Sequence, residues 1–341
     1  MKLIVARFGI LIGLAFLDSA AVSIAVEVEN PKPHQVAQRG FPVPLRLRGI
    51  EKLDGYQWRV IALPGAYGTS ADWADVPAAG LLIPPGGWYR LEVRRGGDVS
   101  TVEPLGVGEV FLIAGQSYAE NCNDELLKSQ ETHGRVVALD LKKGTWGVAA
   151  DPQPNISSGY VGGTIWPPFG DELAAKLKVP VGFVNVARAA TSSSAWLPPG
   201  QLHQNLTKAG LVLGRFRAVL WQQGESDVIG NVTADQYVAN LKTIRNAAIK
   251  EWGFEPLWLP AKSTIHPTVY KKPKEEAVIR QAVDTLWTIP GFRPGPDTDT
   301  LTGAHRGDRG SRQHFSPKGQ RAAAALWVEA VGAAILEARD K

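Results

Sequence analysis

Beyond residue 106, several short runs are apolar at nearly every position: Glu109-Val110-Phe111-Leu112-Ile113-Ala114, Val181-Gly182-Phe183-Val184-Asn185-Val186-Ala187 and Ala218-Val219-Leu220-Trp221. A strand with one wet face alternates between apolar and polar residues. Unbroken runs of this length therefore predict strands covered on both faces, as in parallel sheets. Helical spacing follows them. Phe169, Leu173 and Leu177 share one face, and Tyr237, Leu241, Ile244, Ala248 and Trp252 share another. Thr233 is placed to cap the second of these helices and Gly253 to end it. A last helix is predicted from Ser316 as N-cap and Pro317 at its first position to about Arg339. Strand and helix in alternation predict a three-layer α/β/α domain with a mostly parallel sheet over residues 106–341.

The texture before residue 106 is different. Val43-Pro44-Leu45-Arg46-Leu47-Arg48, Trp58-Arg59-Val60-Ile61-Ala62-Leu63 and Trp88-Tyr89-Arg90-Leu91-Glu92-Val93 alternate with period two, and glycine-rich turns separate or follow them. Residues 26–105 are expected to form a small β-sandwich-like accessory domain without a catalytic constellation. Residues 1–25 carry Lys2 and Arg7, a short apolar stretch from Phe8 to Leu17, and small residues at Ser19-Ala20-Ala21 and Ser23-Ile24-Ala25. That order is the pattern of a cleavable export signal. Its apolar core is about half the length that spans a bilayer, so an exported, periplasmic or secreted protein without stable membrane insertion is expected.

Composition narrows the partners. The 341 residues hold 37 Lys and Arg against 33 Asp and Glu, a net charge of +4 with no dense basic run, so nucleic acid is not an expected partner. Cys122 is the single cysteine and excludes an intramolecular disulfide. The six histidines show no metal-binding spacing, and no metal or cofactor is expected.

In open α/β sheets the chemistry sits beyond the carboxyl ends of the strands. After the first apolar run comes Gly115-Gln116-Ser117, after the second Arg188-Ala189-Ala190-Thr191, and after the third Gln222-Gln223-Gly224-Glu225-Ser226-Asp227. His314 precedes the final helix. A serine hydroxyl needs a neighbouring base to become a nucleophile, and histidine is the usual base near neutral pH. Ser117 and His314 are thus the candidates for acyl transfer. The mid-domain GxSxG elbow of α/β-hydrolases is missing, since Ala119 stands at its fifth position.

Gly115-Gln116-Ser117, Trp221-Gln222-Gln223-Gly224-Glu225-Ser226-Asp227 and His314-Phe315-Ser316-Pro317-Lys318-Gly319, in this order, resemble the SGNH hydrolase superfamily. Within it they resemble the sialate O-acetylesterase and acetylxylan-esterase-like branch, over about Val107 to Leu336. The resemblance implies a serine esterase that removes O-acetyl groups from carbohydrates, with an acetylated saccharide as partner and no cofactor. It implies Ser117 as nucleophile and His314 as base. It also implies an oxyanion hole from the backbone N–H of Ser117, a backbone N–H of Ala189 or Ala190, and the side-chain amide of Gln223. Glu225 is implied to brace loops around the site and is counted with the substrate-binding residues. Trp166 and Trp196 follow loops near the predicted site and are expected to face the sugar.

Three departures from that pattern stand out. Tyr118 occupies the place of an Asn, Ala189-Ala190 the place of Gly-Gly, and Ser311 the place of the acid three residues before the histidine. The nearest carboxylate is Asp308, which is expected to orient His314. The rival expectation is a catalytically impaired carbohydrate-binding relative that kept the pocket and lost the rate.

Overall fold

A computed structural model of the chain describes residues 26–307 and 314–337. The expected leader, Asp308 and Ser311 lie outside the described residues. Twelve strands and six α-helices are described, in two layers of different character.

The first layer uses β1 (Val28–Asn30), β2 (Val36–Gln38), β3 (Arg46–Leu47), β4 (Gln57–Tyr67), β5 (Ala71–Asp75), β6 (Gly86–Arg95) and the first part of β7 (Asp98–Gly115). β5-β4-β6-β7 is an antiparallel array in which β4 lies between β5 and β6, β2 adds parallel to β7, and β1 pairs with β3. Alternation works here as the sequence predicts. Trp58 and Val60 on β4, and Leu91 and Val93 on β6, are buried in one apolar cluster with Val43, Leu45 and Leu47.

β7 is 18 residues long and runs straight through the boundary expected at 105/106. Its first part pairs with β6, and from Glu109 onward it is the central strand of a second sheet. That sheet adds β8 (Val136–Asp140), β9 (Thr145–Val148), β10 (Val181–Asn185), β11 (Ala218–Gln222) and β12 (Leu257–Pro260). Its order is β9-β8-β10-β7-β11-β12, parallel throughout except for the antiparallel edge strand β9.

The apolar runs are covered on both faces. Phe111, Ile113, Phe183 and Leu220 pack against α1 (Trp166–Leu177) and α6 (Pro317–Glu337). Val110, Leu112, Val184 and Trp221 face α2 (Gln201–Leu213), α4 (Ala234–Trp252) and α5 (Pro273–Trp287). Burying each such side chain contributes roughly 1.5–3 kcal/mol, which is why the runs tolerate no polar alternation. Thr233 Oγ1 accepts the Gln236 N–H to open α4, and Gly253 closes it at φ +69°. Ser316 Oγ accepts the Gly319 N–H at the start of α6.

One buried carboxylate joins the two layers. Glu109 accepts from Gln38 Nε2 at 3.0 Å, Arg39 Nε at 2.5 Å and Arg217 Nε at 2.8 Å, so both of its oxygens are satisfied at the point where β7 changes sheets. Among the described residues no helix is long and apolar enough to cross a membrane.

Candidate active site

β7 lies between β10 and β11, and the loops leaving the carboxyl ends of these strands diverge to opposite sides. That divergence opens a crevice at the rim of the sheet. A cavity of about 310 Å³ lies there, lined by Gln116, Ser117, Cys122, Tyr160, Ala189, Ala190, Ser226, Ile229, His266, Val269 and His314. Ser117 and His314, 197 positions apart in the chain, thus share one cavity wall.

Gly115 makes the turn that delivers Ser117. Its φ is +126°, and a Cβ there would lie 2.1 Å from the Gln222 carbonyl oxygen, so only glycine lets β7 end this close to β11. The loop after Ser117 is held from beneath. Both Trp166 Nε1 and Asn185 Nδ2 donate to the Ala119 carbonyl at 2.8 Å. The Ser117 side chain is only 5% exposed, at the floor of the cavity.

His314 sits above an aromatic shelf. Its ring meets Tyr118 edge-on at 5.3 Å between centroids and His266 at 6.1 Å. Tyr118, which replaces the family's Asn, is fully buried, donates its hydroxyl to the Ile265 carbonyl at 3.2 Å, and has the Arg306 guanidinium 4.9 Å over its ring. Nε2 of His314 is buried without a hydrogen-bond partner among the described residues. Burial, then His266, then Arg306 push the imidazole down to about 4. All three disfavour the charged ring, so it stays a neutral proton acceptor through mildly acidic pH. The sign follows directly. A base works only when unprotonated, so lowering its pKa moves the acid limb of the rate profile downward. For ester hydrolysis, kcat/KM is expected to stay level from about pH 8 to pH 5 and to fall only near pH 4. An acid limb centred near the ordinary histidine value of about 6.5 would contradict this assignment.

The donors divide in an order the sequence does not show. Among the described residues the backbone N–H groups of Ser117 and Ala190 have no acceptor. The Ala189 N–H is taken by the carboxylate of Glu120, which is fully buried. Of the two expected alternatives, Ala190 is therefore the free one. Its φ of +56° places an alanine methyl in the left-handed region that the family's glycine would occupy without strain.

Several expectations need correction. Gln223 does not line the cavity: it is fully buried, and its Nε2 is directed to Gln116 Oε1, the Thr191 carbonyl and the Asp227 carboxylate. Trp166 and Trp196 are also fully buried and face no sugar. Trp166 packs between the sheet and α6, while Trp196 lies edge-on to Trp221 and donates to Thr191 Oγ1 at 3.1 Å. Glu225 opens the short helix α3 (Glu225–Ile229) with no exposed surface, so it braces rather than touches substrate. It accepts from Ser263 Oγ at 2.6 Å, and burial pushes its carboxyl up to about 8.

Other cavity residues carry no sequence motif. His266 follows β12 in a loop whose approach to His314 is a matter of tertiary folding. Tyr160 is 53% exposed and lines the cavity together with the exposed Ile229 and Val269. An aromatic beside Gly159 in a long loop is the one available hint. Cys122 lines the wall with its thiol pushed up to about 12 by burial, which keeps it protonated and unreactive at neutral pH. No group of acidic, histidine or cysteine side chains suited to a metal ion occurs among the described residues.

The model of the carbohydrate esterases described as sialic acid-specific acetylesterases matches residues 107–323, more than half of the chain. The protein belongs to this family. It is a carboxylic ester hydrolase by that membership. No curated protein matches the sequence. Among solved structures, XAC1771, a carbohydrate acetylesterase from Xanthomonas citri, is similar with a TM-score of 0.54 and 17% identity, over 88% of this chain and 72% of that one. A protein from Arabidopsis thaliana aligns with a TM-score of 0.51 and 17% identity, over 65% of this chain and 96% of that one. NanS aligns with a TM-score of 0.51 and 14% identity, over 68% and 98% respectively. At these identities the likeness speaks for the shared α/β fold.

Proposed function

We propose that this esterase hydrolyses O-acetyl groups on saccharides through an acyl-enzyme on Ser117, and that it acts outside the cytoplasm after export by its leader-like first 25 residues. The observation that carries the mechanism is the one cavity shared by Ser117 and His314, with Nε2 of His314 and the N–H groups of Ser117 and Ala190 without partners among the described residues.

In the first half-reaction Ser117 Oγ bonds to the acetyl carbon while its proton passes to His314. The carbonyl π electrons move onto oxygen, where the free backbone donors meet the new charge. Collapse breaks the bond to the sugar oxygen, which leaves with the proton from His314. Water then attacks the acetyl-serine with His314 again as base; collapse breaks the bond to Ser117 Oγ, which takes the proton back from His314, and acetate departs. No metal or redox partner enters this balance. A neutral imidazole suits the proton-accepting step, the rings of Tyr118 and His266 lie beside it, and Asp308 is the carboxylate proposed to orient it. Tyr160 at the rim offers a ring face to the apolar side of a pyranose leaving group.

The test is acetate release from acetylated xylan and from O-acetylated sialic acid, together with labelling by a fluorophosphonate and peptide mass analysis. Acetate release and a single adduct on Ser117 are expected. Saccharide binding with neither turnover nor adduct would instead make the protein a binding relative of these esterases.

A further inference from the structure

Two glutamines approach the site, and only one has an amide nitrogen free to act there. Gln116 lines the cavity beside Ser117 and is 2% exposed. Its backbone N–H donates to the Gln222 carbonyl at 2.9 Å, extending the β7–β11 pairing by one residue. Its side-chain oxygen lies among donors. Ser226 N–H at 3.2 Å, Gln223 Nε2 at 3.2 Å and Gly224 N–H at 3.5 Å all point at Oε1. That arrangement settles which end of the amide is which. Exchanging O and N would set an NH2 group against these donors and leave the Ser226 and Gly224 N–H groups without an acceptor. The other end, Nε2, has no acceptor among the described residues.

We propose that Gln116 Nε2, and not Gln223, is the side-chain donor that binds the ester carbonyl oxygen as it becomes an oxyanion. This deepens the esterase reading above and rests on it. Gln223 cannot serve without giving up the Thr191 carbonyl and the Asp227 carboxylate, and Asp227 is itself fully buried. A buried carboxylate stripped of a donor is costly, so Gln223 is locked in its bracing role. Its function is then indirect: Gln223 Nε2 shares its two N–H bonds among the Thr191 carbonyl, the Asp227 carboxylate and Gln116 Oε1, which with the Ser226 and Gly224 N–H groups holds Oε1 inward, and Gln116 presents Nε2 to the substrate. The nucleophile's immediate neighbour in sequence thereby completes a donor set with the N–H groups of Ser117 and Ala190. Donors fixed in advance around the developing charge need no reorganisation in the transition state.

The test compares Gln116→Glu and Gln116→Met with the parent protein on p-nitrophenyl acetate, with 1,1,1-trifluoroacetone as a probe. This ketone forms a tetrahedral adduct with a reactive serine and places an oxyanion in the same hole. Gln116→Glu keeps an oxygen for the Ser226 and Gly224 donors but turns the Nε2 end into an acceptor. Gln116→Met keeps the length and removes both polar ends. Expected are losses in kcat of about 100-fold or more for both variants, with KM changed only a few-fold, and a parallel rise in the Ki of the ketone. A kcat within about threefold of the parent in either variant overturns the assignment, as does a loss of kcat with the ketone Ki unchanged. If one variant fails to fold, as judged by its thermal transition, the other decides. Failure of the esterase reading is separately visible, because parental hydrolysis would then persist in Ser117→Ala.

Discussion

Ser117→Ala is expected to lower kcat for p-nitrophenyl acetate by roughly 10⁴-fold or more while leaving the thermal transition in place. The size of the effect follows from what remains. With Oγ gone, no acyl-enzyme forms, and the free donors and the His314 base can assist only direct attack by water. The side chain is 5% exposed and makes no hydrogen bond among the described residues, so the lost hydroxyl leaves no partner unsatisfied. Stability should therefore change by well under about 1 kcal/mol. Steady-state kinetics and a melting curve on the same preparation check both halves. A rate within tenfold of the parent would remove Ser117 from the mechanism, whatever the fold.

Gly115→Ala carries the largest expected structural effect. The new methyl carbon would lie 2.1 Å from the Gln222 carbonyl oxygen and 2.6 Å from its carbon, both backbone atoms of the neighbouring central strand. Backbone cannot swing aside as the end of a long side chain can, and the φ of +126° is itself a conformation alanine avoids. The two costs together amount to about 3 kcal/mol or more, a loss of about 4 °C or more in Tm for a chain of this size. Gly96→Ala separates them. Gly96, in the β6–β7 turn, has φ +60° and nothing within 4 Å of the added carbon, so it carries the conformational cost alone, about 1 kcal/mol. Urea unfolding of the two variants measures the difference. Equal destabilisation would mean that the close approach of β7 to β11 is not what reserves position 115 for glycine. Because Ser117 is two residues beyond this contact, Gly115→Ala should also lose activity, through misplacement of the nucleophile.

Much of the scaffold is legible in the order of residues. Residues 109–114, 181–187 and 218–221 read as doubly covered strands because both faces of β7, β10 and β11 are dry, and a dry strand has no reason to alternate. The α4 face of Tyr237, Leu241, Ile244, Ala248 and Trp252 is buried as its spacing predicts. The rule that chemistry follows the carboxyl ends of strands then leads to Ser117 and to the Ala189-Ala190 pair from the sequence alone, without choosing between the two alanines. It leads only to a loop, however, and three loops gather here. That Glu120 takes the Ala189 N–H, that Tyr118 and His266 wall in His314, and that Tyr160 reaches the rim depends on where those loops meet. Trp166 and Trp196 show the same gap from the other side: each is adjacent to the site in sequence, yet each points into a core.

The order of elements, the parity of each strand and the placing of Ser117 just past the end of β7 belong to the chain itself, because periodicity and glycine placement are local properties that solvent exclusion enforces residue by residue. Which of two glutamines presents its nitrogen to the cavity was decided only on folding. Gln116 and Gln223 lie 107 positions apart and leave the ends of adjacent strands. Only when β7 and β11 pair do the N–H groups of Ser226 and Gly224 converge on one oxygen and turn the other end of that amide toward the substrate.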